Sequence, residues 1–318
     1  MVSLDDIREA HDRIRPHIRY TPVFTSRAID ELLGAKVTFK FESLQRGGSF
    51  KIRGALNAVL SLTDAAAELG VATHSSGNHG AALAIAAAIR GIPAYIVVPS
   101  NAPRVKRAAI EGYGGIVTEC APNVPAREAA LDEVVRQTGA HFVPPYDDAR
   151  IVAGQGTATV ELLEQVPDIE QLWVPVGGGG LASGAAIAVR GIDPDVDVIA
   201  AEPSRADDAF RSLANGRIEP MRNPATIADG LRTPLGQINF DILSSHRVTV
   251  ELASESAILA ATRLILERMK LVVEPSGAVP LAALMETPPS RRAPRIGVIV
   301  SGGNVDLESL LYALKNAG

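Results

Sequence analysis

Leu172-Trp173-Val174-Pro175-Val176-Gly177-Gly178-Gly179-Gly180 is the stretch on which the fold is read. The uncharged run 172–189 is long enough to raise the question of a membrane span. Pro175 and four consecutive glycines interrupt it, so it reads instead as a strand, a loop and the start of a helix. Four glycines let consecutive N–H groups converge on one anion at a helix N-terminus, and a phosphate monoester is the natural guest. A tight connection with no ligand would use the same residues. Gly177, Gly179 and Ala182 also satisfy a G-x-G-x-x-A dinucleotide fingerprint, with Glu202 at the end of the next strand, where a ribose-binding acid would sit.

Outward from this unit the same alternation recurs. Residues 36–42, 71–73, 92–98, 116–118, 196–201 and 296–300 read as strands, and 81–90, 105–113, 126–138 and 185–189 as helices. Strands and helices alternating at this spacing predict an α/β fold of parallel sheets with helices on both faces. Ligands of such sheets gather at the carboxyl ends of strands. Three distinctive loops fall there: Ser75-Ser76-Gly77-Asn78-His79-Gly80, the glycine run, and Ser301-Gly302-Gly303-Asn304.

Composition narrows the class. With 318 residues, 47% apolar and 21% charged, the chain suits about two globular domains. A net charge of -5 gives no basic footprint for nucleic acid. The single cysteine, Cys120, excludes an internal disulfide framework, fits a reducing compartment and reads as a small buried hydrophobe. The first nineteen residues mix acids and arginines with apolar positions and lack a secretory core. A cytoplasmic protein with no membrane partner is expected.

Ser49-Phe50-Lys51-Ile52-Arg53-Gly54 puts a lysine at the head of an apolar segment. A desolvated lysine amine loses part of its charge preference, which Schiff-base chemistry with an aldehyde cofactor requires. The alternative is a surface lysine whose stem lies along an apolar face. The turn 75–80 carries more polar groups than an N-cap needs and suits a substrate carboxylate; His79 there can equally anchor the turn. Glu202, Asp207 and Asp208 bracket a short turn and suit either a hard cation or the acidic first turn of a helix. The dinucleotide reading leaves Lys51 and Asn78 without work.

Together these segments resemble the pyridoxal-phosphate enzymes of the tryptophan-synthase-β fold type, within it the serine racemase and serine/threonine dehydratase group. Val152-Ala153-Gly154-Gln155-Gly156-Thr157, Glu202-Pro203-Ser204, Thr226-Ile227-Ala228-Asp229-Gly230 and Glu274-Pro275-Ser276-Gly277 complete the likeness, which runs nearly end to end. The resemblance implies that Lys51 carries pyridoxal 5'-phosphate as an imine in a cleft between two domains. A discontinuous large domain, 1–62 and 148–318, would bind the cofactor, and a small one, 63–147, the substrate. Phe50, Asn78, Gly177, Gly178, Gly179, Gly180, Glu274 and Ser301 would surround the cofactor. Ser75, Ser76, Asn78, His79, Arg127 and Thr233 would bind a small amino acid, with Lys51 and Ser76 catalytic on opposite faces of its α-carbon. Glu202, the Ala206 carbonyl and Asp208 would hold Mg²⁺, or Ca²⁺ or Mn²⁺, and a homodimer is implied. The implied reaction is dehydration of L-serine or L-threonine to a 2-oxo acid and ammonia. Serine or aspartate racemisation through Lys51 and Ser76, and dehydration of 3-hydroxyaspartate, are the alternatives. Arg232-Thr233-Pro234 and Pro145-Tyr146 depart from the racemase pattern at the pocket edge.

Overall fold

The computed structural model describes residues 2–102 and 104–316. Ten strands form two sheets among these residues: β1 (Val23–Thr25), β2 (Lys36–Phe41), β3 (Val71–His74), β4 (Ala94–Pro99), β5 (Ile116–Cys120), β6 (His141–Phe142), β7 (Gln171–Pro175), β8 (Asp197–Pro203), β9 (Thr249–Ala253) and β10 (Arg295–Val300). The larger sheet has the order β1-β2-β10-β7-β8-β9 and the smaller β5-β4-β3-β6. Strands β7 and β10 lie in the middle of the large sheet, and their near-continuous burial reflects cover on both faces.

The sheets are parallel as expected, apart from one edge strand. β1 pairs antiparallel with β2, Val23 opposite Lys40, while the other pairings are parallel. A three-residue edge strand is too short to show a period, and this one stays partly exposed. No helix among the described residues is long and apolar enough to cross a membrane, so the run 172–189 is strand, loop and helix.

Three helices meet behind the cleft: Lys51–Leu60, Ala149–Gln165 and Gly180–Ile192. Their backbones touch at glycines. A Cβ on Gly154 would lie 2.6 Å from the Gly54 Cα, and one on Gly184 only 2.5 Å from the Gly156 nitrogen. The Gly154-Gln155-Gly156 motif therefore answers to close backbone approach, and Gln155 Oε1 accepts from the Gly54 amide at 3.1 Å.

The lysine helix shares its apolar core with the small sheet: Ile52, Leu56 and Val59 lie in one cluster with Leu83, Ile96 and Ile110. The opposite side of the same helix enters a buried ionic group beneath the large sheet. Arg53 donates to Glu42 through Nε and Nη2 at 2.7 and 2.8 Å, and to Glu161 through Nη1 and Nη2 at the same distances. Lys40 Nζ donates to Glu161 at 2.7 Å, to Gln165 at 2.8 Å and to the Thr21 carbonyl at 2.8 Å.

Gly154→Ala should destabilise the fold by about 1–3 kcal/mol, because the rigid backbone of residues 53 and 54 cannot yield to the new methyl. Urea unfolding measures this, and an unchanged midpoint would contradict the helix contact.

Candidate active site

Loops leaving β3, β7 and β10 at their carboxyl ends, together with the start of the lysine helix, build one cleft between the sheets. Phe50 is the N-cap of helix Lys51–Leu60, so Lys51 begins the helix as residue types and spacing predict. Its Nζ donates to the Pro145 carbonyl at 2.8 Å and lies 5.1 Å from the centre of the Phe50 ring. Burial of the amine lowers its pKa to about 8, against a partial pull upward from the Glu274 carboxylate. Glu274, itself buried, is pushed up to about 8 by desolvation and then by the Asp229 charge. Lys51 is half-buried with its amine turned inward onto the Pro145 carbonyl and the Phe50 ring, which counts against the surface-lysine alternative.

The glycine run forms the second wall. Helix Gly180–Ile192 starts after Gly179 with no capping side chain, so its first-turn N–H groups remain available to an anion. Gly179 has φ +97°, which only glycine adopts without strain, and a Cβ there would lie 2.6 Å from the Asn239 Cβ. A Cβ on Gly178 would enter the Tyr146 ring, 2.2 Å from its nearest atoms. Asn239 Nδ2 donates to the Gly178 carbonyl at 2.8 Å and to the Tyr146 carbonyl at 3.3 Å, tying the run to the lip that carries Pro145. Asn239 carries no sequence signal of its own, and sequence reasoning misses it.

The third wall is the loop after β10. Ser301 is buried at the strand end, and its carbonyl accepts from the Phe50 amide at 3.0 Å. Its hydroxyl has no chain partner among the described residues. A Cβ on Gly302 would lie 2.4 Å from Glu274 Oε1. Asn78 opens helix Asn78–Arg90 across the cleft, donating from Nδ2 to Glu274 Oε1 at 2.8 Å. Ser75, Ser76 and Asn78 are half-buried at that helix start, where Gly77 is the N-cap and Ser75 Oγ accepts from its amide at 3.3 Å.

Two expected substrate contacts are otherwise engaged. His79 is buried, with Nε2 3.1 Å from the Val143 carbonyl, and burial lowers its pKa to about 3, so the ring anchors the turn as a neutral group. Its Nδ1 has no partner among the described residues, but with Nε2 donating to Val143 the neutral ring leaves that nitrogen an acceptor, so the donor left to face a carboxylate is the main-chain N–H in the first helical turn. Thr233 Oγ1 accepts from the Gly178 amide at 2.9 Å and so buttresses the glycine run. Arg127, half-buried in helix Val124–Thr138, has no ion-pair partner among the described residues. Its charge reaches Tyr146, whose phenol is otherwise pushed up to about 12 by burial and by Asp147 and Asp208.

Glu202 is nearly fully buried and accepts from the Ala209 and Phe210 amides, both at 2.8 Å. Its carboxylate thus caps helix Asp208–Asn215, which removes the ribose-binding role of the dinucleotide reading. Asp208 accepts from the Leu235 amide through Oδ2 at 2.8 Å, while its buried Oδ1 has no partner. Desolvation raises both carboxyls, and the charge of acidic neighbours adds to the rise. No cluster of three or more His, Cys, Asp or Glu side chains suited to a metal occurs among the described residues. A site here would rest on these two carboxylates and the Ala206 carbonyl.

The depressed lysine has a direct consequence. Its neutral, nucleophilic form dominates above about pH 8. Imine formation by the cofactor-free protein with a small aldehyde should accelerate as pH rises through that value and level off above it. An inflection at the ordinary lysine pKa, measured by stopped-flow absorbance, would contradict the burial argument.

The comparisons with known proteins agree with this architecture. The model of the pyridoxal-phosphate dependent enzyme family matches residues 14–302. The chain is 47% identical over 308 residues to a β-hydroxyaspartate dehydratase of Paracoccus denitrificans (strain Pd 1222), covering 97% of this chain and 98% of the relative. Maize serine racemase superposes with a TM-score of 0.95 at 43% identity, covering 99% of this chain and 97% of that one. A threonine deaminase from T.th. superposes with a TM-score of 0.92 at 42% identity, covering 96% and 99%. A desolvated lysine beside an uncapped glycine-lined helix start, in a match spanning nearly the whole chain, places this protein in the family of pyridoxal-phosphate dependent enzymes.

Proposed function

We propose that the chain is an ammonia-lyase that removes water from a β-hydroxy amino acid, L-serine or L-threonine first, leaving a 2-oxo acid and ammonia. The observation that carries this reading is the half-buried Lys51 amine, held on the Pro145 carbonyl with its pKa lowered to about 8, in the cleft where the loops after β3, β7 and β10 meet. Residues 1–62 and 148–318 act in this reading as the cofactor-binding body, and 63–147 as the substrate-binding one.

Pyridoxal phosphate, when bound, supplies an electron sink for the α-carbon of the substrate. The amides of Gly177, Gly179 and Gly180 would hold its phosphate, the Gly178 amide being held instead by Thr233. Asn78 would hold the cofactor's phenolic oxygen, with Phe50 beside the ring and Glu274 behind Asn78. Ser301 would meet the pyridine nitrogen with a hydroxyl, which stabilises a protonated ring nitrogen less than a carboxylate does. Lys51 then serves as the base that takes the α-proton, its depressed pKa matching that task near neutral pH. Ser75 and Ser76, with the N–H groups opening helix Asn78–Arg90, orient the α-carboxylate. Ser76 also returns a proton to the opposite face of the α-carbon, so racemisation accompanies elimination.

A second reading, dehydration of 3-hydroxyaspartate, is favoured by Arg127. A guanidinium with no ion-pair partner among the described residues, its charge felt at Tyr146, suits a second carboxylate, and a relative named for that activity shares 47% of its residues with this chain. The buried, partnerless Asp208 Oδ1 supports a divalent cation held with Glu202 and the Ala206 carbonyl, steadying the turn before helix Asp208–Asn215.

Assay of 2-oxo acid release across serine, threonine and 3-hydroxyaspartate tests the proposal; release from none of them would refute it. Lys51→Ala should lower turnover at least about a thousandfold, and Ser76→Ala should abolish racemisation while elimination of L-substrate persists. Arg127→Ala separates the two readings. If the second holds, kcat/KM for 3-hydroxyaspartate should fall roughly ten- to a hundredfold while serine changes little. Mg²⁺ added after thorough chelation should raise Tm through Glu202 and Asp208, and an unchanged Tm would dismiss the cation.

A further inference from the structure

Asn78 is gripped on both ends of its carboxamide by residues from the opposite side of the cleft. Nδ2 donates to Glu274 Oε1 at 2.8 Å, and Oδ1 accepts from Asn304 Nδ2 at 2.9 Å. Asn304 Nδ2 also donates to the Gly47 carbonyl at 2.7 Å. A main-chain carbonyl only accepts, so the Asn304 amide has one allowed orientation, nitrogen toward Gly47. The atom it offers Asn78 is then a donor, and Asn78 must answer with its oxygen. One N–H of Asn78 is spent on Glu274 and the other is left without a partner among the described residues.

The surroundings are shaped around this contact. Gly48 has φ +75°, and a Cβ there would fall 2.3 Å from Asn304 Oδ1. The Gly303 amide donates to the Gly48 carbonyl at 2.9 Å, and the Glu274 amide to the Gly302 carbonyl at 3.1 Å. The loop after β10 is thereby joined to the loop that precedes Lys51, and Asn304 extends from that junction to the first residue of helix Asn78–Arg90.

We propose that Asn304 is a positioning residue that sets the orientation of the Asn78 carboxamide, so that Asn78 presents a donor and never its carbonyl to the cofactor's phenolic oxygen. The inference rests on the pyridoxal-phosphate reading of the site. An ionised phenolic oxygen can only accept, so a reversed amide would oppose it with a second acceptor. Asn304 thus acts at one remove, through the hydrogen-bond polarity it imposes on its neighbour.

The test uses the holoenzyme. Asn304→Asp replaces the donor by an acceptor, which Asn78 satisfies by turning its nitrogen toward residue 304 and its oxygen toward the cofactor and toward Glu274, whose carboxyl, raised to about 8, can donate to it when protonated. Asn304 is exposed at the cleft rim, so its variants should fold. The absorbance of the lysine-bound cofactor should move from the visible band of the ionised phenol toward the near-ultraviolet band of the protonated one. Cofactor dissociation should weaken roughly ten- to a hundredfold, the size of a lost hydrogen bond to a charged acceptor. Asn78→Ala should give the same spectral change, and the double variant no more than either single one. Asn304→Ala, which removes the donor without adding charge, should give a partial conversion.

An Asn304→Asp spectrum and pH titration that superpose on the unaltered enzyme, while Asn78→Ala changes both, would overturn this inference and leave the cofactor reading standing. An unaltered protein that forms no visible band with pyridoxal phosphate would overturn both.

Discussion

The site depends first on an ion group that never meets substrate. Arg53, two residues beyond Lys51, is fully buried, and its guanidinium is divided between Glu42 and Glu161. Lys40 adds a second cation on Glu161, and His11 Nε2 lies 3.6 Å from the same carboxylate. Breaking any one of these pairs would leave an uncompensated buried charge, and the pairs join β2, the lysine helix and helix Ala149–Gln165. The glycine contacts between the same helices remove the remaining freedom. Lys51 is thereby delivered to the cleft from a rigid base.

The front of the same helix works by the opposite physics. There the amine has no carboxylate in contact among the described residues and donates to the Pro145 carbonyl, and desolvation dominates. One helix thus carries a cation held charged on its inner side, Arg53, and a cation made easy to neutralise on its outer side, Lys51. Glu274 contributes the matching feature, a buried carboxyl whose pKa rises towards that of the lysine. Around this pair, loops from both sheets supply donors: uncapped helix starts at Asn78 and Gly180, the Ser301 hydroxyl and the Asn78 amide.

Much of this is legible in the residue order, and the exceptions have physical causes. Strands β7 and β10 are apolar runs closed by glycine loops, so both the strands and their functional ends can be read. β1 and β6, of three and two residues, are too short to carry a period. Helix Asn78–Arg90 begins three residues before the expected 81, because Gly77 serves as its N-cap and the polar residues after it lie inside the first turn. The partners that give the site its chemistry are remote in the chain: Pro145 lies 94 residues from Lys51, and Glu274 lies 196 from Asn78. Asn239 and the orientation of the His79 ring follow from tertiary packing alone, which no local pattern encodes.

Whether Lys51 is the residue that carries the cofactor decides the functional account. Hydride reduction of the holoenzyme, followed by proteolysis and mass spectrometry of the fluorescent peptide, addresses that directly. The account requires the pyridoxyl mass on the peptide containing Ser49-Phe50-Lys51-Ile52-Arg53, at the lysine. Label on any other lysine, or none at all after reduction, would contradict it.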